Sequence, residues 1–271
     1  MNNLVATGTT GTIGRHFGTR VEQLPFELSH RVWSNQHLNI FKSRVVIHCA
    51  AIVGVAAVER NEKLAYQVNV EATRNLARLA RKGGASRFIY VSTAHVYANR
   101  EGLITELDLV APQNIYAGQK YEGENAVAEE LTNSDTEFCI ARVFSVLDWD
   151  VQAFTLGGSV RRLLDPSSSE LLTNCDDIRD FLTPRTVANS LIAIAEKSGL
   201  IGLVNVCSGK GISVKNAALA MFVKSGFKFP FEKTVAGNSS NPILIGDNSK
   251  LKEKIPELNL IWNPSIFHRD A

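Results

Sequence analysis

Tyr116 and Lys120 stand four residues apart, a spacing that on a helix puts a phenol and an ammonium on one face. A neighbouring cation favours phenolate, so the pair predicts a tyrosine of lowered pKa that takes a proton from an alcohol or gives one to a carbonyl. That proton is useful when hydride leaves or joins the same carbon, which is nicotinamide chemistry. YxxxK alone more often marks a surface helix, but three neighbours give it weight. The segment TGTTGTIG at 7–14 spaces its glycines so that Gly8 makes a tight turn, Gly11 lets backbone approach a pyrophosphate, and Gly14 lets a helix pack against a sheet. The run RFIYVS at 87–92 ends at Ser92 and Thr93, whose hydroxyls can bond a reacting oxygen. Pro112 lies just before the helix expected to carry Tyr116.

The elements that must position these groups are legible as changes of apolar period. Asn3–Thr7 reads as a strand, and Thr12–Val21 as a helix whose free N–H groups and positive dipole end would meet the phosphates. Phe26–Ser29 suits a second strand. Val45–Ala50 is a continuous apolar run, as in a strand buried on both faces. Leu64–Arg81 has helical spacing and stops at Gly83 and Gly84. Arg87–Ser92 and Phe138–Val143 read as strands, with a helix over Tyr116–Leu131 between them. Beyond Val146 the regularity weakens. Val187–Lys197 reads as a helix and Leu203–Cys207 as a strand, Asp165–Glu170 and Asn238–Pro242 as loops, and the tail from Ile243 shows little periodicity. Strands alternating with helices predict an α/β fold with a parallel sheet covered on both faces. Residues 1–147 would form the dinucleotide-binding part, with 183–206 returning to it, and 148–271 mainly a smaller substrate-binding part.

A formal charge of +2 over 271 residues argues against nucleic acid or a membrane surface as partner. The apolar stretch Val45–Val58 is too short to span a bilayer. Met1–Thr7 lacks the layout of a secretory signal, and the four cysteines are widely spaced with no CxxC, so reduced thiols and a cytoplasmic location are expected. No metal is expected. In the stretch FELSHR at 26–31 no Asp follows Leu28, whereas Ser29 and Arg31 suit a 2′-phosphate. The cofactor is therefore NAD or NADP, with a lean toward NADP.

The ordered set TGTTGTIG (7–14), VIHCAA (46–51), NVEATRNLARLA (69–80), RFIYVSTAHVY (87–97), PQNIYAGQKYEGE (112–124) and RDFLTP (179–184) resembles the extended short-chain dehydrogenase/reductases, in particular the NAD-dependent epimerase/dehydratase group acting on nucleotide sugars. The resemblance implies a doubly wound, Rossmann-type sheet with a small C-terminal substrate-binding part. It implies that Thr93, Tyr116 and Lys120 are catalytic, Lys120 also holding the cofactor ribose. It places Gly8, Thr10, Gly11, Thr12, Ile13, Gly14, Cys49, Ala50, Ala51, Asn69 and Val91 with the cofactor, and Thr93, His95, Arg142 and Arg179 near the sugar nucleotide. Asn69 would be structural, ordering the site. Relatives also imply a homodimer through the helices around Leu64–Arg81 and Tyr116–Leu131. His48 falls in the cofactor motif, although a core histidine bonded to backbone is the plainer reading.

Dehydratases of this group carry Asp-Glu after the hydroxyl residue, where this chain has Ala94 and His95; dehydration is not expected. His95 reads either as an added acid/base or as a packing element. Only about forty residues separate Gly8 from His48, so the adenine side is trimmed. The run VFSVLD at 143–148 and the segment TPRT at 183–186 depart from the group on the substrate side. The expected activity is that of an NAD(P)-dependent nucleotide-sugar epimerase or 4-keto-sugar reductase. The alternatives are a reductase of a non-sugar carbonyl compound and a catalytically idle NAD(P)-binding regulatory protein.

Overall fold

A computed structural model describes residues 3–24, 35–151, 155–237 and 243–266. In chain order the elements are β1 (Leu4–Thr7), β2 (Glu22–Gln23), β3 (Val45–His48), α1 (Val55–Arg60), α2 (Glu62–Tyr66), α3 (Ala72–Lys82), β4 (Arg87–Thr93), β5 (Leu103–Ile104), α4 (Ile115–Leu131), β6 (Glu137–Val143) and β7 (Ser145–Val146). There follow α5 (Leu156–Arg162), β8 (Ile178–Leu182), α6 (Pro184–Glu196), β9 (Gly202–Val206), β10 (Gly211–Ser213), α7 (Val214–Lys224), β11 (Ile243–Gly246) and α8 (Ser249–Lys254).

Six strands form one parallel sheet in the order β2-β1-β3-β4-β6-β9. Apart from the exposed edge strand β2, its strands are largely buried, so alternate residues feed two cores. Leu4, Ala6, Val45, Ile47, Ile89 and Val91 face α6. Val5, Val46, Phe88, Tyr90 and Ile140 face α3 and α4. The chain leaves β1 to β2 on one side and returns to β3 on the other. This reversal opens a crevice beyond the carboxyl ends of β1 and β3, where doubly wound sheets bind ligands. A second sheet, β10-β8-β11-β5 with β7 beside β8, packs with α5 and α7 around Trp149, Phe181, Phe222 and Phe229.

The helix expected over Thr12–Val21 does not form. Two separate 3-10 turns, Gly14–His16 and Gly18–Arg20, take its place. Gly18 sits at φ +60°, which an α-helix cannot include, so the chain turns there instead of continuing. The helix expected over Leu64–Arg81 forms without a break from Glu62 to Lys82. Asn61, at φ −153°, separates α1 from α2 and caps α2 by accepting from Leu64 N–H at 3.1 Å. A wider turn at Gln67–Glu71 then leads into α3. Gly83 and Gly84 end α3 as expected, Gly84 at φ +74°. The tail is more ordered than its periodicity suggested: β11 bridges β8 to β5, and Leu251 of α8 enters the core. The expected strand Phe26–Ser29 and the expected loop Asn238–Pro242 lie outside the described residues.

Candidate active site

The glycine loop joins β1 to the first 3-10 turn. Gly8 has φ +70°, and a Cβ there would lie 2.6 Å from Ala50 N. The loop after β1 thus lies directly on the loop after β3, with no room for a side chain between them. A Cβ on Gly14 would overlap the Gly8 carbonyl, so Gly14 closes the loop on itself rather than seating a helix. The dipole of a full helix is therefore missing behind this loop, and its own N–H and hydroxyl groups must serve an anion. Thr9 and Thr12 have buried Oγ1 atoms with no protein partner, which suits an incoming polar group.

A hydroxyl chain fixes the loop after β3. His48 Nδ1 lies 2.7 Å from Thr7 Oγ1, and Nε2 lies 2.9 Å from Thr73 Oγ1. Thr73 spends its proton on the Asn69 carbonyl at 2.8 Å, so Nε2 carries the imidazole proton and Nδ1 accepts from Thr7. Burial, and secondarily the Lys120 charge, push His48 down to about 3, which keeps the ring neutral for both bonds. His48 is thus a core histidine, bonded to hydroxyls and not to backbone. Asn69 is buried, accepts from Ile52 N–H at 2.9 Å, and donates to Ile52 O and Gln119 Oε1 at 3.0 Å each. It ties the segment after Ala51 to α4. Thr7, Thr73 and Gln119 have no motif of their own in the sequence; their roles come from pairings 25 to 50 residues apart.

Asn114 caps α4 by accepting from Ala117 N–H at 2.9 Å, and so sets the phase of Tyr116 and Lys120. Gly123 lets α4 lie against Tyr90 of β4, since a Cβ there would collide with the phenol. Lys120 is 3% exposed, and its Nζ sits 4.1 Å from the centre of the Tyr90 ring. Burial holds its ammonium down to about 8, against smaller pulls from Cys49 and Glu124. The expected lowering of Tyr116 does not appear. Burial first, and Cys49 second, lift its phenol well above the usual range. Tyr116 is half-buried in the wall it shares with Cys49, and its desolvation is the larger of the two effects. Thr93, at the end of β4, accepts from His95 N–H at 3.3 Å.

These groups share one cavity of about 710 Å³, a size that accommodates a small-molecule ligand. Gly8, Thr10, Gly11, Thr12 and Ile13 line one end, with Cys49, Ala50 and Ala51 beside them. Val91, Thr93, His95, Tyr116 and Lys120 line the middle, and Arg179 of β8 closes the far side with Phe144, Ser145, Leu156 and Phe181. Gly14 and Asn69 support this wall without lining it. Ser29 and Arg31 lie outside the described residues. Arg142 is not at the cavity. It is 2% exposed, donates through Nε and Nη2 to both oxygens of Glu124 at 3.0 and 2.6 Å, and stacks 4.5 Å from the Tyr97 ring centre. Its place at the end of a strand suggested a ligand contact, but its side chain turns into the layer under α4. The wall contributed by Phe144, Ser145, Leu156 and Phe181 was missed. Its signal was present only as the departure at 143–148.

Among the described residues the cavity lining carries two cations, Lys120 and Arg179, and no carboxylate. A phosphate-bearing, polyanionic ligand matches that charge. Thr9 Oγ1, Thr12 Oγ1 and Ser145 Oγ are buried without partners, and the glycine loop leaves backbone bare at one end. The residues present thus fit a nicotinamide dinucleotide, whose bound form would supply or accept a hydride. Thr93, Tyr116 and Lys120 then offer two hydroxyls and an ammonium for one reacting oxygen.

Parallel sheet, strand reversal and glycine loop together define a Rossmann-type protein of the short-chain dehydrogenase/reductase kind. Residues 2–201 match the RmlD substrate-binding-domain family, and the chain belongs to that family. The methionine adenosyltransferase 2 subunit beta of Bos taurus is 34% identical over 143 residues, or 46% of this chain and 42% of the relative. The dTDP-4-dehydrorhamnose reductase of Mycobacterium tuberculosis is 34% identical over 137 residues, covering 46% and 45%. The matching stretch spans less than half the length of these curated relatives. In fold the chain is similar to MoeE5 in complex with UDP-glucuronic acid and NAD, with a TM-score of 0.80 at 19% identity, over 93% of this chain and 92% of that one. It is also similar to RMD of Pseudomonas aeruginosa complexed with NADPH, at a TM-score of 0.76 and 20% identity over 97% and 94%. No helix among the described residues is long and apolar enough to cross a membrane.

Proposed function

We propose that this chain transfers hydride between a nicotinamide dinucleotide and a ring carbon of a nucleotide-activated sugar, as a 4-keto-sugar reductase or an epimerase. The observation that carries this is the cavity in which the glycine loop, Thr93, Tyr116, Lys120 and Arg179 meet, with cations and no acids on its wall among the described residues. Tyr116 gives its proton to the carbonyl oxygen or takes it from the alcohol. Thr93 bonds the same oxygen. Lys120 holds the cofactor ribose and, with its burial already lowering its proton affinity, is poised to pass charge toward Tyr116. Arg179 takes the sugar nucleotide's phosphates. A reductase consumes NAD(P)H; an epimerase removes hydride, lets the keto sugar turn, and returns it to the other face. NADP is the proposed cofactor on the strength of Ser29 and Arg31, with NAD as the alternative. The second reading is a catalytically idle NAD(P)-binding regulatory protein, in keeping with the likeness to a relative named as the beta subunit of a methionine adenosyltransferase.

One experiment separates these. The protein is mixed with UDP-, GDP- and dTDP-sugars and their 4-keto forms, NAD(P)H absorbance is followed, and products are resolved as isomers. Net cofactor oxidation marks a reductase, and isomers without net change mark an epimerase. Dinucleotide binding with no turnover across the panel rejects both and leaves the idle binding protein or a reductase of a non-sugar carbonyl compound. Tyr116→Phe is expected to lower turnover by ~10²–10⁴-fold, the usual size of general acid–base catalysis, while dinucleotide binding persists. Turnover unchanged in this variant overturns the role given to Tyr116.

A further inference from the structure

The substrate-side wall of the cavity hangs on a very short strand. β7 pairs with β8, Ser145 opposite Phe181 and Val146 opposite Leu182, and Ser145, Val146 and Phe181 all line the cavity. Its two residues are well under the usual strand length, so the ladder alone fixes this wall poorly. One further backbone bond, from Leu147 N–H to Leu182 O at 3.0 Å, extends it. Past that point the chain is gripped by a segment from the far end of the sequence. Trp262 donates through Nε1 to Leu147 O at 2.9 Å, and its ring lies 5.8 Å from the Phe181 ring, tilted by 42°. Ser265 donates to Asp148 Oδ1 through its N–H at 2.9 Å and its Oγ at 2.5 Å. Residues 258–266 form no helix or strand, so side chains anchor them. Leu260 is buried, and Lys224 Nζ of α7 donates to Asn263 Oδ1 at 2.6 Å. Trp262 does not line the cavity, and hydride transfer gives it nothing to do.

We infer that Trp262 is a positioning residue for the sugar-nucleotide side of the cavity, holding Phe181 and the end of β7 where Ser145 and Arg179 meet their ligand. This rests on the hydride-transfer function above, in which Arg179 takes the phosphates. Arg179 and Phe181 are two apart on β8 and so point to one face of it. The indole backs Phe181 from outside the cavity lining, and its N–H satisfies the Leu147 carbonyl just where the β7–β8 pairing ends. Without the indole, Phe181 loses its backing and that carbonyl loses its partner. β7 is then free to shift along β8, and the buried, unpartnered Ser145 Oγ leaves its place in the wall. The dinucleotide end is shielded from this shift. The same segment reaches the glycine turn through Asp150, which pairs with Arg15 at 2.9 Å, but the two side chains are 59% and 37% exposed, and an exposed pair transmits little. Trp262 therefore acts on affinity for one ligand and not on the other or on the proton transfer.

The test uses the full chain. Nucleotide sugars give KM and kcat, UDP and dTDP are titrated calorimetrically, and NAD(P)H binding is read from its fluorescence. In Trp262→Ala the KM of the nucleotide sugar and the Kd of UDP or dTDP should rise ~10-fold, the scale of one lost contact. There kcat and the Kd of NAD(P)H should change by less than about 3-fold, the pattern of lost uniform binding. Trp262→Phe keeps a ring against Phe181 and loses only the N–H, so it should fall between wild type and Trp262→Ala. Ser265→Ala keeps the indole and weakens the same grip at Asp148, so it carries the test should Trp262→Ala fail to fold; its KM should rise about 3-fold. Wild-type affinity for NAD(P)H reports that each variant is folded. Unchanged KM and Kd for the sugar side in the folded variants, or equal losses for NAD(P)H, overturn the inference and leave the hydride-transfer function standing. A wild-type protein that binds dinucleotide but neither turns over nor binds a nucleotide sugar overturns both.

Discussion

Lys120 shows how one residue carries opposite demands. In the unfolded chain it holds its proton up to about 10.5, but in the folded protein only to about 8. Between those values the unfolded chain binds more protons, so the stability of the free protein rises with pH through that window. Below about pH 8 the full cost of the buried ammonium is present. Replacing it by an apolar group of similar length should therefore stabilise the free protein while harming the site. Lys120→Met is expected to raise the thermal midpoint of the ligand-free protein by roughly 3–8 °C at pH 7, equivalent to about 1–3 kcal/mol. The gain should shrink at pH 9.5, and NAD(P) binding should weaken; differential scanning calorimetry at both pH values checks it. A lower midpoint, or an equal gain at both pH values, would show that the Tyr90 contact and not desolvation governs this lysine. The identity of Tyr116 and Lys120 was legible from a five-residue window because helical spacing is local. The direction of the Tyr116 shift was not, because it comes from burial and from Cys49, whose approach to the tyrosine no local spacing encodes. Arg142 failed for the same reason: its partner Glu124 is 18 residues away on another element.

At the scale of elements, α4 is held to β4 and β6 by one carboxylate. Glu124 accepts from Ser92 Oγ at 2.5 Å and from two Arg142 nitrogens, with both charged partners almost fully buried. Ser92 precedes Thr93 and Glu124 lies one turn beyond Lys120, so this contact sets how the hydroxyl and the tyrosine–lysine face meet. Glu124→Gln leaves a buried guanidinium without its counter-ion, which should cost about 3–5 kcal/mol. Urea denaturation should show the midpoint falling with little change in slope. Substituting Met at both Glu124 and Arg142 should recover most of that loss, since the pair's mutual attraction mainly offsets its own desolvation. A double variant as unstable as the single would instead mean that the pair supplies net stability. The elements themselves were legible wherever apolar period was strong, as in β3, β4, α4 and β6. The misread helix after Gly8 has the residues of a helix start, yet Gly18 in a left-handed conformation stops it within a turn. β11 and α8 were invisible because their order comes from pairing with β8 and β5 and from burial of Leu251, not from their own pattern.

For the whole molecule, the question is what the second sheet adds to a dinucleotide crevice that the six-stranded sheet already forms. Its direct charged contribution to the cavity is Arg179, held by Asp177 at 2.8 Å on a strand braced on both sides by β10 and β11. The glycine loop lacks a helix dipole behind it, so fixed cationic side chains carry more of the anion binding than in a protein with a full first helix. Arg179 and Lys120 sit on different elements of that cavity, which divides the work: Lys120 beside the tyrosine, Arg179 across from it. Arg179→Gln removes one charge-assisted contact to phosphate, worth roughly 1.5–3 kcal/mol. UDP or dTDP should therefore bind ~10–100-fold more weakly, measured by isothermal titration calorimetry, and the weakening should be largest at low salt, where screening is least. NAD(P)H affinity should change less, because the glycine loop and Lys120 remain. Equal losses for both ligands would place the dinucleotide phosphates at Arg179, and the sugar nucleotide would then need another anchor among the residues of α5 and β7 that face the same cavity.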